Sequence, residues 1–354
     1  MIQSTTSIEL LRNGRIAPLT SLAIWTPQSL GSFDGGVYYD NNEICQQGLH
    51  VKPGYTNKPV AITPSDLSKL DGSHIFGGML QIHFGHFFTE SIGRIWAQGY
   101  LSSKFNSIAF YHRVPGGRIP GFVRETIELL APELQINIIQ RPTIVEELAV
   151  PTHIEKYGML YGHTVMQEAV LPLKAIKGGT AKRLYVSRSK LHLSDGGILF
   201  EELVEKYLVE ESYQVIHPEK MTIREQLAAY NAADELIFAE GSALHLYALV
   251  ARSTQRVFII WRRKLAEFFG WQISTFGGPT RVHGVPCIEA LFVPPNGEVS
   301  ARALLDFEDL SRQLYNSGFI SNKRWDIPKA SEVNHEITRA ELATKRQYVE
   351  KRLR

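Results

Sequence analysis

Cysteine is almost missing from this chain: Cys45 and Cys287 are the only two among 354 residues, and they lie far apart. They form no C-x-x-C pair and no disulfide framework, which fits a reducing compartment. Long apolar runs are missing too. No stretch of roughly 18 uninterrupted apolar residues occurs, so no membrane span is expected. The opening MIQSTTSIELLRNGR has no basic stretch followed by an apolar run, so no secretory signal is expected. Charge of one sign is scarce: the net charge is +2, and nothing points to nucleic acid as a partner. Repeats and low-complexity segments are absent, and no Asp-x-Asp occurs anywhere. What remains is a chain 44% hydrophobic and 21% charged, the profile of a globular protein with real cores. Its length suits two domains.

Residues 1–70 are rich in Gly, Pro, Thr and Asn. Their short apolar runs, such as LTSLAIW and GGVYYD, predict short strands and turns packed onto the first half. From Ser73 the pattern changes. HIFGGML reads as a buried strand, HFGHFFTESIGRIWAQGYL as a helix, NSIAFYH as a strand, and PGFVRETIELLA as a helix opened by proline. This alternation predicts a parallel sheet covered by helices. LKAIKGGTAK has no apolar periodicity and makes a plausible linker. We therefore expect a first domain over 1–172 and a second over 173–330. A polar, basic helical tail is expected over 331–354.

Beyond the linker the alternation restarts. RLYVSRS, YQVIHP, DELIFAEG and QRVFIIW read as strands, with helical spacing between them. Ligands of open α/β sheets bind outside the carboxyl ends of the strands. Polar groups stand at three such ends: Ser187-Arg188-Ser189-Lys190, Glu240-Gly241-Ser242 and Trp261-Arg262-Arg263.

Three segments carry candidate chemistry. In AEGSALH a strand runs through Glu240-Gly241-Ser242-Ala243 into an apolar helix. Small residues there let a ligand approach, and the helix start offers amides and a positive dipole end to phosphate or ribose. The same segment also reads as a plain turn with Ser242 as N-cap. A nucleophile elbow on Ser242 would lack its second glycine. In YVSRSK, Arg188 can hold a diphosphate bidentately and Lys190 adds a point charge; a solvated basic loop is the plainer reading. In QIHFGHFFTESIGRIW, His83, His86, Glu90 and Arg94 fall on one helical stripe. His86 or Glu90 can take a proton from a sugar hydroxyl. A metal site is also conceivable, though the spacing is not H-E-x-x-H, and satisfied polar neighbours on a helix would look the same. The tail residues Lys345, Arg346, Lys351, Arg352 and Arg354 could rest on anionic lipid or merely face water.

At these residues the chain resembles glycosyltransferase family 61. That family shows an early N-F-x-H-x-x-x-E/D-x-x-x-R segment, matched by Phe84, His86, Glu90 and Arg94. A later S-R pair is matched by Ser187-Arg188, and the residue opening the next helix by Glu201. Gln226 with Ala233-Asp234, and Gly241-Ser242-Ala243-Leu244, match the pieces that follow. Glu240 stands where members usually carry His, Phe200 stands for the Asn before Glu201, and a second arginine after the S-R pair is missing.

The resemblance implies an α/β chain of two Rossmann-like domains facing a cleft, the GT-B type. It implies an inverting transferase that needs no bound metal or cofactor and moves a sugar from a nucleotide diphosphate, UDP-linked, to a glycan or lipid-linked glycan acceptor. The expected setting is capsule, lipopolysaccharide or exopolysaccharide assembly in the cytoplasm, with peripheral membrane contact through the tail. The donor side is expected to comprise Ser187, Arg188, Lys190, Glu201, Gln226, Glu240, Gly241, Ser242, Ala243 and His245. His83 and Arg94 are expected on the acceptor side, with His86 as base and Glu90 orienting it or acting as base itself. A member that binds glycan or nucleotide without catalysis is the alternative.

Overall fold

The computed structural model describes residues 6–353 apart from 21, 24–29, 51–53, 59, 61, 64–66, 114–115 and 265. The fold is mixed α/β with several sheets. It divides into two compact units, Met1–Leu173 and Lys174–Arg354.

The first unit is built on a six-stranded sheet. Its strands are β1 (Ile8–Ala17), β2 (Gly36–Tyr38), β3 (Ser68–Leu80), β4 (Ser107–His112), β5 (Gln135–Ile139) and β6 (Thr143–Pro151), in the order β2-β1-β6-β3-β4-β5. The β6-β3-β4-β5 part is parallel, while β1 runs antiparallel to both β6 and β2. The sheet is thus mixed, and the leader contributes two of its strands. Every residue of β4 is buried, as expected of a strand covered on both faces. Phe76, Met79, Tyr111, Val145 and Leu148 form the core together with Ile16 and Val37 of the leader. Only part of the apolar run at 19–25 falls within the described residues; its positions 22 and 23 pair with Gly31–Phe33.

The long helix expected after β3 does not form. Phe84–His86 makes one α-turn, Phe87–Ser91 a π-helical turn, and Ile95–Gly99 a separate 3₁₀ turn. Two local demands break it. The Ser91 hydroxyl is drawn to β3, accepting from Gln81 N at 2.9 Å and donating to Met79 O at 3.1 Å. Gly93 lies under the His153 ring, and its carbonyl accepts from Ile154 N at 2.9 Å instead of from the next turn.

The second unit holds β7 (Arg183–Val186), β8 (Gln214–Ile216), β9 (Glu235–Ala239), β10 (Arg256–Ile260) and β11 (Val282–His283). They form an all-parallel sheet in the order β8-β7-β9-β10-β11. The helices Glu201–Glu210, Ile223–Ala232, Ala243–Val250 and Glu267–Thr275 connect them. Local chemistry marks the boundaries. Thr222 and Glu225 close a capping box before Ile223, for example.

A second sheet, ordered Gly197–Ile198, Arg302–Leu305, Ile288–Val293, Val349–Arg352, packs in the same unit. The tail departs from the expected helix. Its helix is Ala330–Thr344, which buries Val333, Ile337 and Ala340 against Leu199, Ala290 and Phe292. Lys345 then turns left-handed (φ 54°), and Val349–Arg352 becomes a strand paired with Ile288–Val293. Among the described residues no helix is long and apolar enough to cross a membrane.

Candidate functional site

The strand order of the second unit reverses between β7 and β9. Its carboxyl-end crevice therefore lies where these two strands stop, the place where such sheets take ligands. β7 runs into Ser187-Arg188, and β9 into Glu240-Gly241. A Cβ on Gly241 would stand 2.4 Å from Arg188 Nη1 and 3.2 Å from its Cζ. The guanidinium thus lies on the glycine, and only glycine leaves it that room. Arg188 Nη2 donates to Asp195 O at 3.3 Å, while its Nε is shut off from solvent without a hydrogen-bond partner.

The stem of this arrangement is anchored below. Glu201, buried at the start of its helix, accepts from Arg188 N at 2.7 Å and from the Tyr185 hydroxyl at 3.0 Å. Ser187 Oγ lies 3.0 Å from Glu201 Oε1 and 2.6 Å from Glu205 Oε1, and it accepts from Ser189 N at 3.0 Å. Burial pushes the Glu201 carboxyl above the usual range against these bonds. Phe200, just before it, is left-handed (φ 59°), a conformation that asparagine adopts more readily.

Glu240 is buried, and its carboxylate is engaged. Arg263 Nε donates to Oε2 at 3.1 Å and Arg263 Nη2 to Oε1, while Arg262 Nε stands 3.5 Å from Oε2. Arg262 Nε also donates to the Glu240 carbonyl at 3.1 Å. Burial alone would raise the Glu240 carboxyl. The hydrogen bond from Arg263 and the charges of Arg262, Arg263 and Arg188 outweigh it and hold the group below its ordinary value. Burial pulls Arg262 down to about 9. Glu240 is therefore a holder of arginines rather than a free contact for ribose.

The other donor-side candidates do not all gather here. Lys190 is exposed, 3.8 Å from Glu202. Gln226 Nε2 is spent on the carbonyls of Pro218 and Met221, which shapes the loop after β8. His245 Nδ1 pairs with Gln272 Oε1 at 2.8 Å, its ring against Phe269. Ser242 is helical in conformation and its side chain caps nothing. The amides of Leu244 and His245 already bond Gly241 O and Ser242 O, so fewer donors than expected stay open at the helix start, which Ala243 opens.

In the first unit the pair expected at i, i+4 forms across the π-turn. His86 Nδ1 stands 2.6 Å from Glu90 Oε1. Glu90 is buried, and its Oε2 accepts from Gln81 Nε2 at 2.7 Å with His50 Nε2 at 3.7 Å. The His86 side chain is 44% exposed. In the tautomer that carries its proton on Nδ1, shared with Glu90, Nε2 is the acceptor. His83 lies in extended backbone ahead of the turn, its ring 5.1 Å from that of His86. Arg94 leaves the stripe altogether. It is fully buried over Phe76 and donates to the carbonyls of Pro151, Gln47 and Leu49 at 3.0–3.1 Å, a strut between loops rather than an acceptor contact. Among the described residues no group of three or more His, Cys, Asp or Glu is placed to hold a metal.

Several residues of these clusters were not singled out by spacing. Glu205 repeats Glu201 one turn later, a readable signal. Gln81, His50 and the grip of Arg262 and Arg263 on Glu240 rest on tertiary contacts that no local pattern announces.

The model of the family described as glycosyltransferase 61 matches residues 84–257, a span that begins just before His86 and ends past Gly241. No curated protein matches the chain. The matched span, just under half of the chain, runs through both clusters and is a glycosyltransferase family 61 domain; members of that family work with a sugar donor and a glycan acceptor.

Proposed function

We propose that this protein moves a sugar from a nucleoside diphosphate donor, UDP-linked, to a glycan or lipid-linked glycan in capsule, lipopolysaccharide or exopolysaccharide assembly, on the cytoplasmic side. The two units act as a GT-B pair, with the nucleotide sugar on the second and the acceptor on the first. His86 Nε2 takes the proton of an acceptor hydroxyl while that oxygen attacks the anomeric carbon. The bond from that carbon to the diphosphate oxygen breaks, and the configuration inverts. The negative charge left on the diphosphate is met by Arg188. Glu90 orients His86. On this reading the Arg188 guanidinium supplies the charge that a metal would otherwise bring, and transfer proceeds without one. The observation that carries this reading is the Arg188 guanidinium resting on Gly241 at the reversal point of the sheet.

His86→Ala tests it. Transfer is expected to vanish with UDP affinity nearly unchanged, and lost UDP binding in that variant would contradict the division of roles. A second reading, a member that binds without catalysis, is favoured by Glu240, whose carboxylate is taken up by arginines. Calorimetric titration with UDP, GDP and CMP, followed by transfer and donor-hydrolysis assays, separates the two. Binding with no turnover supports the second.

A further inference from the structure

A small, partly open cavity of about 20 Å³ is lined, among others, by Arg188, Gly197, Glu201, Glu202, Arg302 and Arg339. Three arginines therefore line a space that holds one or two oxygen-sized atoms. Arg302 is the unusual member. It opens the strand Arg302–Leu305, is 8% exposed, and its Nε is shut off from solvent with no hydrogen-bond partner. Its guanidinium nitrogens lie 3.7–3.8 Å from where a Cβ on Gly197 would be, so the guanidinium packs beside that cavity-lining residue.

Of the carboxylates nearby, Glu201 accepts from Arg188 N and Tyr185, Glu336 pairs with Arg339 at 2.6 Å, and the half-exposed Glu202 stands 3.8 Å from Lys190. Burial lowers the Arg302 pKa. Tyr348, Glu201 and Glu336 favour its charge through space, and Arg339 opposes it. A shielded N–H of a cation with no acceptor is unfavourable and is relieved by an anion that reaches it. Arg188, which also lines the cavity, has a second solvent-shielded Nε without a partner.

We propose that this cavity is an anion site that takes one oxygen of a phosphoryl group, with Arg302 and Arg339 as binding residues beside Arg188. It rests on the reading of Arg188 as a phosphate-binding residue. Guanidinium forks match phosphoryl oxygens, and the space is too small for a sugar or a base. The phosphoryl group comes from the donor's diphosphate or from free phosphate. The tail helix thereby supplies a donor-side residue, Arg339.

Thermal unfolding and calorimetry of the full chain test this, using sodium phosphate, UDP, and sodium chloride at matched ionic strength. Phosphate and UDP are expected to raise the Tm of the unaltered protein, and chloride is not. Arg302→Met, which removes an unpaired buried charge, should be at least as stable without anion. It should lose the phosphate-dependent rise and bind UDP at least tenfold more weakly. Should Arg302→Met fail to fold, Arg339→Met, at a half-exposed side chain, reads the same loss. An equal phosphate rise in protein and variants, or a chloride rise matching phosphate, overturns the site. A phosphate rise that depends on Arg302 with no UDP binding keeps the site, assigns it to free phosphate and refutes the nucleotide-sugar reading. UDP binding untouched by Arg302→Met does the reverse.

Discussion

Gly241→Ala separates the grip on the donor from the stability of the fold. Gly241 does not need a left-handed backbone, so alanine is admissible there as far as φ is concerned. The new Cβ would, however, sit 2.4 Å from Arg188 Nη1, 3.1 Å from Cδ and 3.2 Å from Cζ. The guanidinium must swing off the glycine. Because it is the far end of a flexible side chain, moving it is cheap. The stiffer unfolded chain returns about 0.4–1 kcal/mol. Stability should therefore stay within about 1 kcal/mol of the starting protein. Binding should not. A charge-assisted hydrogen bond contributes about 1.5–3 kcal/mol, so a displaced Arg188 weakens UDP about 10- to 150-fold. Calorimetric titration with UDP and urea unfolding, run on the same preparations, give both numbers. An unchanged Kd beside unchanged stability would refute the placing of the diphosphate at this crossing of β7 and β9.

Glu90→Gln keeps the shape of the side chain but removes the carboxylate that faces His86. Turnover should fall by about 10²–10⁴, the usual reach of acid–base assistance, with UDP affinity unmoved; a turnover loss under tenfold would sink the orienting role. Arg94→Met takes the guanidinium from three carbonyls, one in a buried and two in part-buried bonds, and should cost about 3–5 kcal/mol in urea unfolding, and a loss below about 1 kcal/mol would show that Arg94 is no strut. Glu240 has a depressed pKa, so its contribution is present above the unfolded value near about 4.3 and disappears as pH falls through the lower folded value. Tm should drop below about pH 4, more steeply than in Glu240→Gln; parallel curves would contradict the pairing with Arg262 and Arg263.

The parts of this molecule legible in its sequence are those set by neighbours in the chain. The strands ending at Val186, Ala239 and Ile260 show as short apolar runs closed by polar residues, and their order in the chain yields an α/β fold. The contact of His86 with Glu90 follows from i, i+4 spacing. Arg94 carries the same spacing and goes elsewhere. Its fate is decided by Gly93 beneath His153 and by carbonyls that arrive from Gln47 and Pro151, which no window around Arg94 contains. The antiparallel seat of Ile8–Ala17 beside Thr143–Pro151 is equally remote, since its register depends on a partner more than a hundred residues away. The closing residues look helical by composition. They become a strand because Ile288–Val293 offers an open edge.

The parallel sheet of the second unit also governs how the chain acquires its shape. Parallel neighbours cannot be joined by a tight turn, so no two strands of β8-β7-β9-β10-β11 pair until the helix between them, or a longer excursion, has been laid down. β7 must wait for β8 on one side and for the later β9 on the other. Such a sheet closes through distant pairings, late and slowly, with its apolar strands uncovered meanwhile. Refolding yield and aggregation should therefore be limited by this unit, and a destabilising change in β7 or β9 should show first as lost soluble protein rather than as lost activity of the protein that survives.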